Sequence, residues 1–187
     1  MKRILIFFSI VMLLSNSAGS FAENTFVKSA EVDLNGDGTP EHIRVSEITE
    51  SGDFLLKIEQ ASITGKLDSG AADGFIIVDI DTGDKHKEVA VHTPGPSSDD
   101  EYLIYWYDGK SIKNTGRLAR WPEFLGNGIV HVKNWMGFWS QNNKYVLDKK
   151  TRKLHLVPQD MYYVGVEVDV KESFPIYKTR DDRCIGR

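Results

Sequence analysis

The sequence predicts an all-β protein, either a partial propeller-like array or a small β-sandwich or barrel of short antiparallel strands. Three observations lead there. Runs of β-branched and aromatic residues alternate with polar ones at a period of two, and long helical periodicity is scarce. Turn formers punctuate these runs at short intervals: Asn35-Gly36, Ser51-Gly52, Asp108-Gly109 and Gly126-Asn127-Gly128. A strand–acidic turn–strand unit also recurs weakly after about 45 residues, the period of a propeller blade.

Taken in chain order, the expected strands begin with Phe26–Val32, which runs into the first Asn-Gly turn. His42–Ile48 and Phe54–Gln60 alternate apolar and polar residues on either side of Ser51-Gly52. Gly74–Ile80, Glu88–Thr93 and Glu101–Tyr107 are short apolar or aromatic runs. Tyr102–Tyr107, Asp108-Gly109 and Ser111-Ile112 together read as a hairpin of the Asp-Gly kind. Ile129–Lys133, Lys144–Leu147, Lys153–Val157 and Val164–Val170 complete the set by the same alternation.

The first 22 residues read as a secretory signal peptide. Met1-Lys2-Arg3 is basic, Ile4–Leu14 is apolar, and Ser20-Phe21-Ala22 supplies a small-residue cleavage site. The apolar run is shorter than the roughly 20 residues of a membrane span, so no span is expected after cleavage. Residues 23–171 are then one all-β domain, and 172–187 a C-terminal tail. About 165 residues suit a single core. They hold only three or four blades, and a closed propeller needs at least four, so a full ring is not expected. Without Lys2 and Arg3 the formal charge falls from −4 to about −6. That balance argues against nucleic acid or anionic lipid as partner and favours cations. Cys184 is the only cysteine, which rules out an internal disulfide and thiolate-built metal sites.

The chemistry-bearing stretch is Asp33-Leu34-Asn35-Gly36-Asp37-Gly38-Thr39-Pro40-Glu41. It puts oxygen side chains at positions 1, 3, 5 and 9 of a glycine-rich loop. Calcium takes six to eight oxygen ligands at about 2.3–2.6 Å, gathered by a sharply turning chain. Three acids in one small turn repel one another unless a cation compensates them. The competing expectation is a solvated turn whose Asp and Asn side chains cap their own backbone. An EF-hand fits less well, because Arg44 stands where its bidentate glutamate would be. The second copy of the repeat carries Asp79, Asp81, Asp84 and Glu88. Gly83 occupies the place of the third acid and Asp84 is displaced by one. These four are either a poorer second metal loop or plain turn formers.

The Asp-x-Asn-x-Asp-Gly-x-x-Glu turn between two strands resembles the calcium loop of FG-GAP and VCBS-type repeats, found in integrin-α-like propellers and in exported bacterial proteins. The resemblance implies Asp33, Asn35, Asp37 and Glu41 as side-chain ligands of a structural Ca²⁺, with Thr39 offering its carbonyl.

Other candidates are weaker. His92, Ser97 and Asp99 share a Pro/Gly loop but lack a nucleophile-elbow motif. Trp121, Phe124, Trp135, Phe138, Trp139 and Tyr145 crowd one region, with Tyr162 and Tyr163 behind. Most of these rings are expected in the core. Strict alternation cannot bury all of Trp135–Trp139 on one face, so at least one ring should reach the surface. Trp121, Trp135 and Trp139 are the candidate ligand surface. The leading expectation is a non-enzymatic, secreted or periplasmic calcium-binding β-domain. It would act as an interaction module at a bacterial envelope, on envelope carbohydrate or another exported protein. The alternatives are a secreted hydrolase with a carboxylate site, or an inhibitor that inserts its Pro94–Asp100 loop into a partner.

Overall fold

The computed structural model of the chain describes residues 26–96 and 99–165, and residues 167, 169, 171–173, 176–177 and 184–186 of the tail. The expected leader at residues 1–22 lies outside them. Three sheets follow one another along the chain, each a four-stranded antiparallel meander. The first comprises β1 (Ser29–Val32), β2 (Glu41–Glu47), β3 (Asp53–Ile58) and β4 (Ala61–Lys66). The second comprises β5 (Gly74–Val78), β6 (Glu88–Thr93), β7 (Glu101–Tyr107) and β8 (Ile112–Ala119). The third comprises β9 (Trp121–Phe124), β10 (Ile129–Trp135), β11 (Ser140–Asp148) and β12 (Lys153–Leu156). A two-stranded ladder pairs β13 (Ile176–Tyr177) with β14 (Cys184–Gly186) in the tail. None of the sheets closes into a barrel. Among the described residues no helix is long and apolar enough to cross a membrane.

The sheets stack in chain order, and side-chain alternation on the middle one explains why. Its Phe75, Val89, Val91, Leu103 and Tyr105 point into a core shared with Ile43, Val45, Phe54, Leu56 and Ile58 of the first sheet. Its Val78, Ala90, Tyr102, Ile104 and Leu118 point the other way, against Val130, Val132 and Leu147 of the third. β6 is buried at every position and β7 at all but Trp106, as expected of strands covered on both faces. The outer faces of the first and third sheets are left uncovered by this stack. The resulting architecture is a three-sheet array of propeller-like order.

The sequence expectation holds for the boundaries of β6 and β7 and for the Asp-Gly hairpin, where Tyr107 pairs with Ile112. Five strands have no counterpart among the expected runs: β4, β8, β9, β13 and β14. The expected strand at Val164–Val170 does not form at its described residues, and Val166, Val168 and Val170 lie outside the description.

At one end of the stack the β1–β2, β5–β6 and β9–β10 loops lie side by side. The Lys87 N–H donates to the Leu34 carbonyl at 2.9 Å, and the Gly128 N–H to the Ile80 carbonyl at 2.7 Å. Leu34 and Ile80 are fully buried beneath their loops. Gly36, at φ +73°, packs where a Cβ would overlap the Cβ and carbonyl of Lys85, so only glycine fits between the first two loops.

Candidate functional site

The first loop is organised by its acids. Asp33 accepts the Gly36 N–H at 2.7 Å through Oδ1 and the Gly38 N–H at 2.9 Å through Oδ2. Asn35 Oδ1 takes the Asp37 N–H, and Asp37 Oδ1 takes the Thr39 N–H, both at 2.8 Å. Glu41, only 5% exposed, accepts the buried Leu34 N–H at 2.7 Å. Its other oxygen receives the Asn35 amide at 2.5 Å, and the same nitrogen donates to Asp37 Oδ2 at 3.1 Å. Asn35 Nδ2 thus bridges two carboxylates. A half-turn of that amide would present Oδ1 to the same space, at the cost of the Asp37 N–H bond.

These bonds draw one carboxylate oxygen each from Asp33, Asp37 and Glu41 to within 4.8 Å of one another. Two oxygens on one calcium ion stand at most about 5 Å apart, twice the ligand distance, so the cluster has the dimensions of a cation site. Its electrostatics agree. Burial pushes the Glu41 carboxyl up; the Leu34 N–H opposes this, while the charges of Asp37 and Asp33 add to it. The exposed Asp37 is held below its usual range, chiefly by the Thr39 N–H and then by Asn35. Beside the cluster a cavity of about 640 Å³ is lined by Asp37, Thr39, Glu41, Glu59, Tyr107 and Lys110. Of the five expected ligands, Asp33, Asp37 and Glu41 converge through carboxylate oxygens, whereas Asn35 meets them through its amide nitrogen and Thr39 through its N–H, neither of which is a ligand atom.

The second loop repeats this wiring with a different outcome. Glu88 takes the Ile80 N–H at 3.2 Å, as Glu41 takes that of Leu34. The remaining acids are met by basic side chains from the β11–β12 turn. Lys149 pairs with Asp81, and Arg152 reaches Asp84 Oδ2 at 2.7 Å. Hydrogen bonding to Lys149 holds the Asp81 carboxyl down. Asp79 stays partly buried, with Oδ1 unbonded among the described residues. Burial, only partly offset by the Ile80 N–H, pushes the Glu88 carboxyl up to about 7. Spacing could not reveal Lys149 and Arg152, which come from a turn more than sixty residues further along the chain. The third loop, Gly126-Asn127-Gly128, carries no acid at all.

His92 does not approach Asp99. Its Nδ1 lies 2.8 Å from Asp73 and its Nε2 3.4 Å from Asp100, with Phe26 stacked on the ring at 3.8 Å. Asp99 pairs instead with Arg120 at 3.0 Å. Ser97 and Ser98 of the Pro94–Asp100 loop lie outside the described residues. With both nitrogens engaged and the ring buried, His92 fastens β6 to its neighbours.

Of the aromatic cluster, Phe124 and Tyr145 pack against the second core, while the other rings are exposed or half-buried, so fewer are core than expected. Trp121 is 57% and Trp135 55% exposed, and Phe138 and Tyr163 are exposed too. Trp139 is half-buried beside Tyr162, ring centres 6.0 Å apart. The core rings are Phe54, Phe75, Tyr102, Tyr105 and Tyr107. The physical reason is that the third sheet buries only one face, and its tryptophans stand on the other. No protein-family model, curated protein or solved structure matches the chain.

Proposed function

We propose that the chain is an exported, non-catalytic binding module whose first loop holds one structural Ca²⁺. The observation that carries this reading is the convergence of Asp33, Asp37 and Glu41 within 4.8 Å. The donors are oxygens alone, which suits a hard cation rather than zinc or copper. An ion there would offset three mutually repelling charges, one of them buried, and would fasten the β1–β2 turn upon itself. The signal-peptide signature supports export, and the resemblance of residues 33–41 to FG-GAP and VCBS-type loops supports calcium. The exposed rings of the third sheet support binding as the task.

Thermal unfolding with calcium and with chelator tests the ion. At free calcium about 100-fold above Kd the native state gains roughly 2.7 kcal/mol. Asp33→Ala removes that gain, while magnesium at equal concentration reproduces little of it. An unchanged midpoint in calcium would dispose of the metal.

A further inference from the structure

Strand register places the exposed tryptophans on a common grid. Trp121 on β9 sits opposite Lys133 on β10, which sits opposite Asn142 on β11. In the next row Glu123, His131 and Lys144 are aligned in the same way. Trp135 follows Lys133 by two residues and shares its face. Opposed side chains stand about 4.5–5.5 Å apart and alternate residues on one strand about 7 Å. These residues alternate with Val130 and Val132, which enter the core, so the grid is the outer face of the third sheet. Beyond Trp135 it opens into a groove of about 610 Å³, lined by Phe138, Trp139, Asn142, Gln159 and Tyr162 among others.

The two outer faces of the stack are not alike. Among the described residues, nine of the eleven exposed large hydrophobics fall between Trp121 and Val164, at the third-sheet end. The outer face of the first sheet carries Glu31, Arg44, Lys57, Ser62 and Thr64, with no Trp, Tyr or Phe. Lys133 and Lys144 form no ion pair among the described residues. A chain with more acidic than basic residues thus concentrates two free ammonium groups beside two bare indoles, with Glu123 the one acid in either row.

We infer that this face binds an acidic polysaccharide, laid across β9–β11 with its sugar rings on Trp121 and Trp135 and its carboxylates on Lys133 and Lys144. This deepens the binding-module part of the proposed function and is independent of the ion. Indole rings offer a flat apolar surface to the C–H face of a sugar, and the Asn142 amide suits its hydroxyls. Charge complementarity selects among occupants. An apolar partner protein or a neutral glycan would cover two lysines without countercharge, which is costly. A nucleic acid draws most of its affinity from phosphates neutralised by Lys and Arg, and this grid holds only two such cations.

Quenching of tryptophan fluorescence tests this on the purified full chain, with polygalacturonate, dextran and a single-stranded oligonucleotide as probes. The expected result is saturable quenching by polygalacturonate that weakens as salt rises. Dextran and the oligonucleotide bind at least about tenfold more weakly, a difference of about 1.4 kcal/mol. Trp135→Ala and Lys133→Gln each cost about tenfold with the melting midpoint unchanged. Equal binding of dextran, tighter binding of the oligonucleotide, indifference to both substitutions, or no uptake of any probe each overturns the inference. So does self-association that Trp135→Ala abolishes without any uptake of polygalacturonate. Titrations repeated in chelator separate the two proposals. Polygalacturonate binding that persists while calcium leaves the melt unmoved sinks the ion alone. A calcium-dependent melt without polygalacturonate binding sinks only the glycan.

Discussion

Glu88 keeps its proton close to neutrality because burial opposes its charge and the single Ile80 N–H does not compensate. Its carboxyl lies at about 7 in the folded chain against an ordinary 4.5. Between those values the native state binds the extra proton, so this residue makes stability fall as pH rises through that window. The fall should amount to roughly 1–3 kcal/mol. Glu88→Gln keeps an acceptor for Ile80 and cannot ionise. Urea midpoints measured at about pH 5 and about pH 8 should therefore differ less in Glu88→Gln than in the parent. Glu41, shifted in the same direction, leaves a residual slope. An undiminished pH dependence in the variant would mean that Glu88 is solvated after all. That Glu41 and Glu88 close equivalent turns is visible in the repeat. What each carboxylate meets there is not, because Lys149 and Arg152 come from a distant turn.

Among the elements, the β11–β12 turn ties the second loop to the third sheet. Arg152 bonds Asp84 and also lies over the Trp106 ring at 5.0 Å from its centre. Its side chain is 14% exposed, so deletion strands a half-buried carboxylate and uncovers an indole. Arg152→Ala should lower unfolding free energy by about 2 kcal/mol, more than the 0–1 kcal/mol of a surface pair. Denaturation in about 1 M salt checks the assignment: the difference should shrink only partly, whereas a surface pair would be screened away. The legibility of strands varied for local reasons. β6 and β7 are dense apolar runs and stood out. β4 reads Ala-Ser-Ile-Thr-Gly-Lys, and the turn before it is made by Glu59 at φ +51°, with no Gly or Asn to mark it. β8 contains Gly116, and β9 contains Pro122, residues that weaken a strand signal.

At the scale of the molecule the middle sheet belongs to both cores, so neither can open without baring a face of it. Phe54 and Ile104 lie in different cores and are both fully buried. Phe54→Ala should cost about 3–5 kcal/mol and Ile104→Ala about 2–5 kcal/mol. Each should shift one common transition. Far-ultraviolet dichroism and tryptophan fluorescence should report the same midpoint in both variants. Separate transitions, with Phe54→Ala affecting dichroism but not the third-sheet tryptophans, would show that the sheets unfold independently.

Local pattern alone determined the all-β class, the acidic loop at Asp33–Glu41 and its echo at Asp79–Glu88, because alternation, turn residues and ligand spacing are properties of contiguous chain. Tertiary structure decided the rest. It stacked three sheets so that the middle one is covered twice and the outer ones once, which decided that Trp121 and Trp135, rather than Phe124 and Tyr145, are the rings left outside. It also brought Lys149 and Arg152 to one acidic turn and left the other with its carboxylates converged. Both outcomes depend on which faces meet across distant segments, and no local run of residues encodes that.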